Sequence, residues 1–478
     1  MTNAPTFKPV ASPRIAALGL SLEFYDEAIP GYMARLEAQL GRFLAPIAAR
    51  ADIVSRRLCW RDAHVVEQVQ AAEAAEADAL LLIPMSYAAS MMTVPALRDT
   101  SLPIVIWNTQ EAYEVARSYT SDDLLMNHVT QGTQDLTNVL LRNRIRFGLE
   151  SGHYADAPAL DRLGEWLAAA RAMQSARGLR VGRLGAPFEG MGDFSVDEQR
   201  MAHDWGPEVA PLPVDQLAAC FNDARTEDAE ALVEQDQARF EVAPEVEQEM
   251  HVVSARLELA MRRLVAEAEL GAFTMNFREI IEAGGVPTLP FLGLNKLLAD
   301  GLGYAGEGDV MTAAHMAQIR QLCGIATFTE IYTIDYATNA MVMTHMQECN
   351  PAMARDDRKV RLVRKPFWAP GVEDYVGMHF TLQPGPVTLT AITPNADGRF
   401  TYVCREACIR DMAPFPEYDA PHWIAELGEP VGDFLTRYGL AGGPHHLVAA
   451  PGCRAEALRK LAYLQGFGFI DLFPEANR

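Results

Sequence analysis

None of the seven cysteines (Cys59, Cys220, Cys323, Cys349, Cys404, Cys408, Cys453) forms a CxxC pair, and their number is odd. A disulfide framework or zinc ribbon is therefore not expected, and the thiols read as free. Positive charge is scarce: 41 basic residues face 63 acidic ones, a net of −22. Nucleic-acid binding needs a basic face, so that class is set aside. No run of about 18 or more apolar residues occurs, so no membrane-spanning helix is expected. The opening Met1-Thr2-Asn3-Ala4-Pro5 lacks a basic segment followed by an apolar one, and a cytoplasmic protein is the expectation. Internal repeats and low-complexity segments are missing too. What remains is ordinary globular composition, 49% hydrophobic and 22% charged over 478 residues. That length supports a sizeable core and about three domains.

The patterning gives those domains a character. Over residues 1–175, buried-strand runs (Arg14–Leu20, Ala79–Pro84, Pro103–Trp107) alternate with helical periodicity (Tyr32–Leu44, His64–Ala77, Met91–Arg98, Leu136–Phe147). Alternation of this kind implies a parallel sheet covered by helices. No GxGxxG follows the first strand, so a dinucleotide site is not expected. Residues 176–325 repeat the style, with a strand at Arg180–Gly185, a long helix near Val246–Leu270, a strand with a polar tail at Phe273–Arg278 and a helix at Leu292–Gly301. Residues 326–478 are rich in short β-type runs separated by Pro, Gly, Asn and Asp. The fold class is thus α/β: two doubly wound parallel-sheet domains, then a mainly antiparallel, β-barrel-like domain.

Chemistry concentrates between residues 305 and 346. Glu307 lies in the turn Ala305-Gly306-Glu307-Gly308-Asp309, where little side-chain bulk screens it. Glu330, within Phe328-Thr329-Glu330-Ile331-Tyr332, has strand-favouring neighbours and is expected to be partly buried. An unpaired buried carboxylate is costly, so it needs a cation or a polar ligand. His345 follows the strand-like Ala340-Met341-Val342-Met343, and Gly443-Pro444 introduces His445-His446. Neighbouring strand residues point to opposite faces, so only one of this pair is expected to face the site. Two Glu and one or two His suit Mn²⁺, Mg²⁺ or Co²⁺. Taken singly, each has a plainer reading: Glu307 as a surface residue, Glu330 as an ion-pair partner, His345 as a satisfied core histidine. Phe328 and Tyr332 are expected to pack in the core. The loop Pro187–Phe194, with two glycines and two aromatics, reads as ligand-facing or as a tight turn.

Four of these pieces, in this order and spacing, resemble the L-arabinose isomerase family: Ala305-Gly306-Glu307-Gly308-Asp309, Thr329-Glu330-Ile331-Tyr332-Thr333, Thr344-His345-Met346-Gln347-Glu348 and Gly443-Pro444-His445-His446. The resemblance implies Glu307, Glu330, His345 and His446 as metal ligands, with Mn²⁺ as the usual ion and the two glutamates as the acid–base pair. It implies Met191, Thr274, Phe277 and His445 as sugar contacts. The N-terminal third departs from the family. Leu20-Ser21-Leu22-Glu23-Phe24-Tyr25 stands where members carry Gln-His-Leu-Tyr. Asn127-His128-Val129-Thr130-Gln131-Gly132 stands for Asn-Gln-Ser-Ala-His-Gly, which leaves His128 and Gln131 as the substrate candidates there. Those segments line the sugar pocket in the family, partly across a subunit boundary. The implied protein is an aldose–ketose isomerase acting on L-arabinose, with D-galactose as a further substrate, and a homo-oligomer (hexamer or tetramer) with shared sites. A sugar-binding protein of the same fold that has lost turnover is the rival from another class, and an isomerase for another free sugar is the narrower one. Intact Glu307 and Glu330 favour an enzyme.

Overall fold

The computed structural model describes residues 10–367 and 370–473. The chain divides into two compact units, one made of Ala11–Gln174 with Ala457–Gly466, the other of Ser175–Glu456 with residues 467–473.

In the first unit, β1 (Arg14–Leu20), β2 (Asp52–Cys59), β3 (Ala79–Pro84), β4 (Ile104–Asn108) and β5 (Gly148–Ser151) form one sheet in the order β2-β1-β3-β4-β5. Every pairing is parallel. The continuous apolar runs of β1 and β3 follow from this, because helices cover both faces of such a sheet and those strands are buried almost throughout. Two helices differ from the sequence expectation: Leu136–Phe147 runs instead as Thr130–Arg142, with β5 following Phe147, and Met91–Arg98 splits into a 3-10 turn at Ser90–Met92 and a helix at Val94–Asp99. Gly132, Leu136 and Leu140 make the buried stripe of Thr130–Arg142. Gly132 is needed at the contact, where a Cβ would stand 2.9 Å from the Ser86 carbonyl oxygen.

The second unit opens with β6 (Arg180–Leu184), β7 (Glu208–Leu212), a two-residue β8 (Glu241–Val242), β9 (Ala272–Met275) and β10 (Gly303–Gly306). Four of them form a parallel sheet, order β10-β9-β6-β7. The polar tail expected after β9 is instead a helix start. Asn276 accepts from the Arg278 and Glu279 amides and caps Phe277–Ala283, so Phe277 is helical.

Then come β11 (Thr327–Asp335), β12 (Ala340–Thr344), β13 (Arg361–Lys365), β14 (Tyr375–His379), β15 (Gly385–Pro394), β16 (Phe400–Ile409), β17 (His422–Glu426), β18 (His446–Pro451) and β19 (Gly468–Asp471). The order β15-β18-β11-β12-β17-β16 returns on itself through a β15–β16 pairing, all antiparallel. This is a closed six-stranded barrel, which leaves no free edge among those strands. Met341, Met343, Leu389, Trp423 and Leu447 contribute to its core. Strand β19 pairs parallel to β16, and β14-β13-β8 form a small separate sheet. No helix among the described residues is long and apolar enough to cross a membrane.

Candidate functional site

The turn after β10 places Glu307. Glu307 (φ 64°) and Gly308 (φ 85°) both adopt left-handed backbone conformations. Such a conformation is uncommon for a non-glycine residue and clusters at functional sites. Glycine is required at 308 for space as well, because a Cβ would meet the Pro187 Cα at 2.6 Å. Thr274 holds the turn from beneath. Its buried hydroxyl donates to the Gly306 carbonyl (3.1 Å) and accepts from the Gly308 amide (3.0 Å). Far from being unscreened, Glu307 is only 9% exposed.

Barrel register supplies the next groups. Glu330 on β11 stands directly opposite His446 on β18 and opposite Thr344 on β12, and His345 is the residue after Thr344. His446 Nε2 lies 3.2 Å from Glu330 Oε1 and 3.4 Å from Glu307 Oε2. His345 Nε2 lies 3.5 Å from Glu330 Oε1. His445 also faces the site, against the alternation expected for a strand pair: its Nε2 is 3.5 Å from Glu307 Oε2 and 3.8 Å from Glu330 Oε1. The reason is local. The strand begins at His446, so His445 belongs to the preceding bend and escapes the strand's period.

Each imidazole is fixed through its other nitrogen by a carboxylate. Asp309 Oδ2 holds His446 Nδ1 at 2.8 Å, while Oδ1 accepts the Thr312 amide and caps the helix Val310–Cys323. Glu348 Oε2 holds His345 Nδ1 at 2.7 Å and is supported by the Gln347 amide, and Tyr304 OH donates to Oε1. Asp193 Oδ2 holds His445 Nδ1 at 2.6 Å and the His445 amide at 2.9 Å. A carboxylate on one ring nitrogen sets the tautomer and aims the other nitrogen, as in metal-ligating histidines.

One buried and one partly buried carboxylate among imidazoles shape the electrostatics. Burial pushes the Glu307 carboxyl up, but His445 and His446 beside it, with the charge of His345, pull it well below the usual carboxylate range. Burial pushes the His446 ring down, and the bonded Asp309, with the Glu307 and Glu330 carboxylates close by, overcomes this and raises it well above the ordinary value. His345 and His445 are likewise raised against burial, chiefly by Glu348 and by Glu307 respectively.

The donors suit a divalent cation. Ligand atoms of Glu307, Glu330, His445 and His446 all lie within 4.8 Å of one another. Glu307 Oε2 and His446 Nε2 are buried and without a hydrogen-bond partner, although they are within ion-pair reach of each other. Buried polar atoms left this way call for a further group, and carboxylate oxygen with neutral imidazole nitrogen is the donor set of Mn²⁺ or Co²⁺. His345 reaches the cluster at Glu330, with its ring 6.0 Å from that of His446.

Other sequence candidates sit around this centre or apart from it. Met191 lies on a loop docked to the site at three points. Phe188 N–H donates to the Glu307 carbonyl, Asp193 binds His445, and the Phe194 ring stacks on His446 at 5.3 Å. The Phe277 ring is 5.6 Å from Phe188 and 6.2 Å from Phe367. Thr274 spends its hydroxyl on the Glu307 turn. His128 belongs to the first unit, where its ring nitrogens bond Tyr25 OH (2.9 Å) and the Leu125 carbonyl (2.6 Å). Gln131 is exposed on the first turn of Thr130–Arg142. Phe328 is core, as expected, but Tyr332 is 48% exposed and is not.

Asp193, Asp309 and Glu348 had not been read from the sequence as parts of the site. For Asp309 and Glu348 a signal existed: each stands two or three residues from a site residue, within the same motif. Asp193 lies in the loop Pro187–Phe194 that reads as ligand-facing or a tight turn, but it meets His445 across 252 residues of chain and nothing local singles it out.

Comparison with known proteins assigns two stretches of this chain. Residues 180–325 match the family model for the L-arabinose isomerase central domain, and residues 325–468 match that for the L-arabinose isomerase C-terminal domain. Among curated relatives, the L-arabinose isomerase of Serratia proteamaculans (strain 568) is 24% identical over 80% of this chain and 78% of its own. That of Nocardioides sp. (strain ATCC BAA-499 / JS614) is 25% identical over 80% and 77%. That of Mycolicibacterium smegmatis (strain ATCC 700084 / mc(2)155) is 26% identical over 81% and 78%.

Proposed function

The chain belongs to the L-arabinose isomerase family of aldose–ketose isomerases, and from that premise we propose that it interconverts L-arabinose and L-ribulose, with D-galactose to D-tagatose as a second conversion. Glu307, Glu330, His345 and His446 would hold the cation, with Mn²⁺ the first candidate and Mg²⁺ or Co²⁺ the others. The observation that carries this reading is the meeting of two glutamates with imidazoles that carboxylates aim from behind. The two family models meet at residue 325, which supports a boundary there between a central and a C-terminal domain.

Isomerisation moves a hydrogen between C2 and C1 and proton between the attached oxygens. The bound cation would supply Lewis-acid polarisation of the sugar oxygens and offset developing enediolate charge. Glu307 is the proposed base. A carboxylate there, beside the bound sugar, would take the C2 proton and return it to C1. Glu330 is the proposed partner that moves the proton between O1 and O2. Met191, Phe277 and His445 are proposed sugar contacts of the second unit; for His128 and Gln131, in the first unit, the same role is proposed on the family's ground alone. Thr274 is better read as holding the Glu307 turn. A homo-oligomer, hexamer or tetramer, is proposed on the family's ground and is read by analytical ultracentrifugation.

The test is a panel of free aldoses incubated with Mn²⁺ and assayed for ketose. The expected result is ketose from L-arabinose, lost on chelation and restored by Mn²⁺. No conversion of any aldose, or conversion indifferent to chelation, would contradict the proposal.

A further inference from the structure

We propose that His445 is a third imidazole donor to the same cation and that Asp193 is the residue that positions it. This rests on the metal-site reading above and extends it to a residue the family resemblance assigns to sugar contact.

The geometry supports it on three counts. His445, not His345, completes the group of four whose ligand atoms all lie within 4.8 Å of one another. Its Nε2 faces both glutamates, at 3.5 Å and 3.8 Å. Its Nδ1 and its backbone amide both bond one oxygen of Asp193, so ring and main chain are fixed together. An imidazole that donates from Nδ1 keeps the Nε2 lone pair free for an acceptor's role. The same arrangement recurs at His446 with Asp309 and at His345 with Glu348.

Asp193 in turn is held. It lies between Phe188, whose amide bonds the Glu307 carbonyl, and Phe194, whose ring is 97% buried and stacked on His446. Glycines at 185 and 190, both at positive φ, let the loop make this path. The loop therefore brings a side chain to the cluster's more open side, where the side chain of His445 is 39% exposed while the side chains of Glu307 and Glu330 are 11% and 14% exposed. A loop that only covered the site would have no reason to fix the tautomer of a histidine there.

The experiment titrates Mn²⁺ into the chelator-stripped full chain by calorimetry and counts imidazole nitrogens coupled to the bound ion by pulsed electron paramagnetic resonance. His445→Ala and Asp193→Ala should each weaken binding by about tenfold or more, the loss typical of a ligand's orienting partner. The double variant should bind no more weakly than His445→Ala, since Asp193 acts through His445. Asp193→Asn, whose amide oxygen can accept both bonds, should regain most of the affinity. The count should fall from three imidazoles to two in His445→Ala. Wild-type affinity and an unchanged count in His445→Ala would overturn this inference alone. Additive losses in the double variant would overturn Asp193's role. No Mn²⁺ bound by the wild-type chain would overturn the metal reading and this inference with it.

Discussion

Asp309 divides one carboxylate between two tasks, a helix cap and a histidine. Asp309→Ala should therefore show both losses. Removing the cap costs about 1 kcal/mol of stability. Freeing His446 should weaken Mn²⁺ binding about 10- to 100-fold, seen by calorimetric titration beside thermal unfolding. The three imidazoles also set a pH dependence. All are raised above the ordinary histidine value, and a cation needs them unprotonated. Mn²⁺ binding should release protons, and affinity should keep climbing as pH rises past the ordinary histidine range; a flat profile would contradict this. His315 behaves in the opposite sense. Burial drives its ring down to about 3, and it is fully enclosed beside Thr390 and Tyr402. The unfolded chain takes up that proton near pH 6.5, and the folded chain resists it until about 3. Stability from this residue is complete above the unfolded value and is lost as pH falls toward the folded one. His315→Gln should flatten the fall between about pH 6.5 and about pH 4, measured by urea unfolding at several pH values.

Among the elements, the β10 turn carries the most consequence. Thr274→Val keeps the shape but removes the hydroxyl that ties Gly306 to Gly308. It should cost about 1–3 kcal/mol, the penalty for buried backbone groups left unpaired, and should weaken Mn²⁺ binding because Glu307 loses its platform. Equal melting temperatures for variant and wild type in chelator would contradict that role. Element-scale structure was the most legible from sequence. Apolar runs broken by Pro, Gly, Asn and Asp announced the barrel strands, and Ala79–Pro84 and Tyr32–Leu44 took the expected bounds. Less legible were changes of state within a few residues. The polar stretch at 127–135 holds a helix start whose position depends on Gly132 fitting a distant loop. Asn276 ended a strand and capped a helix. His445 fell outside the strand by one residue, which turned it toward the site. Each outcome depended on tertiary contacts that local pattern does not encode.

At the scale of the molecule, the second unit contains a buried charge network remote in sequence from the cluster. Lys296, 6% exposed, meets Asp236 at 2.8 Å and also pairs with Glu258, while His251 bonds Asp236 and Arg262 bonds Glu258. These groups tie the helices Thr226–Arg239, Gln248–Glu267 and Phe291–Asp300. The neighbouring Asn295 bonds the Gln347 carbonyl and the Cys349 amide, on either side of the Glu348 that aims His345. Lys296→Met would leave two buried carboxylates short of a cation and should destabilise the fold by about 3–5 kcal/mol, read by denaturant unfolding. The account's central claim is narrower: side chains from the β10 turn, β11, the end of β12 and the start of β18 converge on one divalent ion. Anomalous scattering from Mn²⁺-soaked crystals of the full chain tests it most directly. A single manganese peak enclosed by Glu307, Glu330 and His446 is predicted; a peak elsewhere, or none at that cluster, would contradict it.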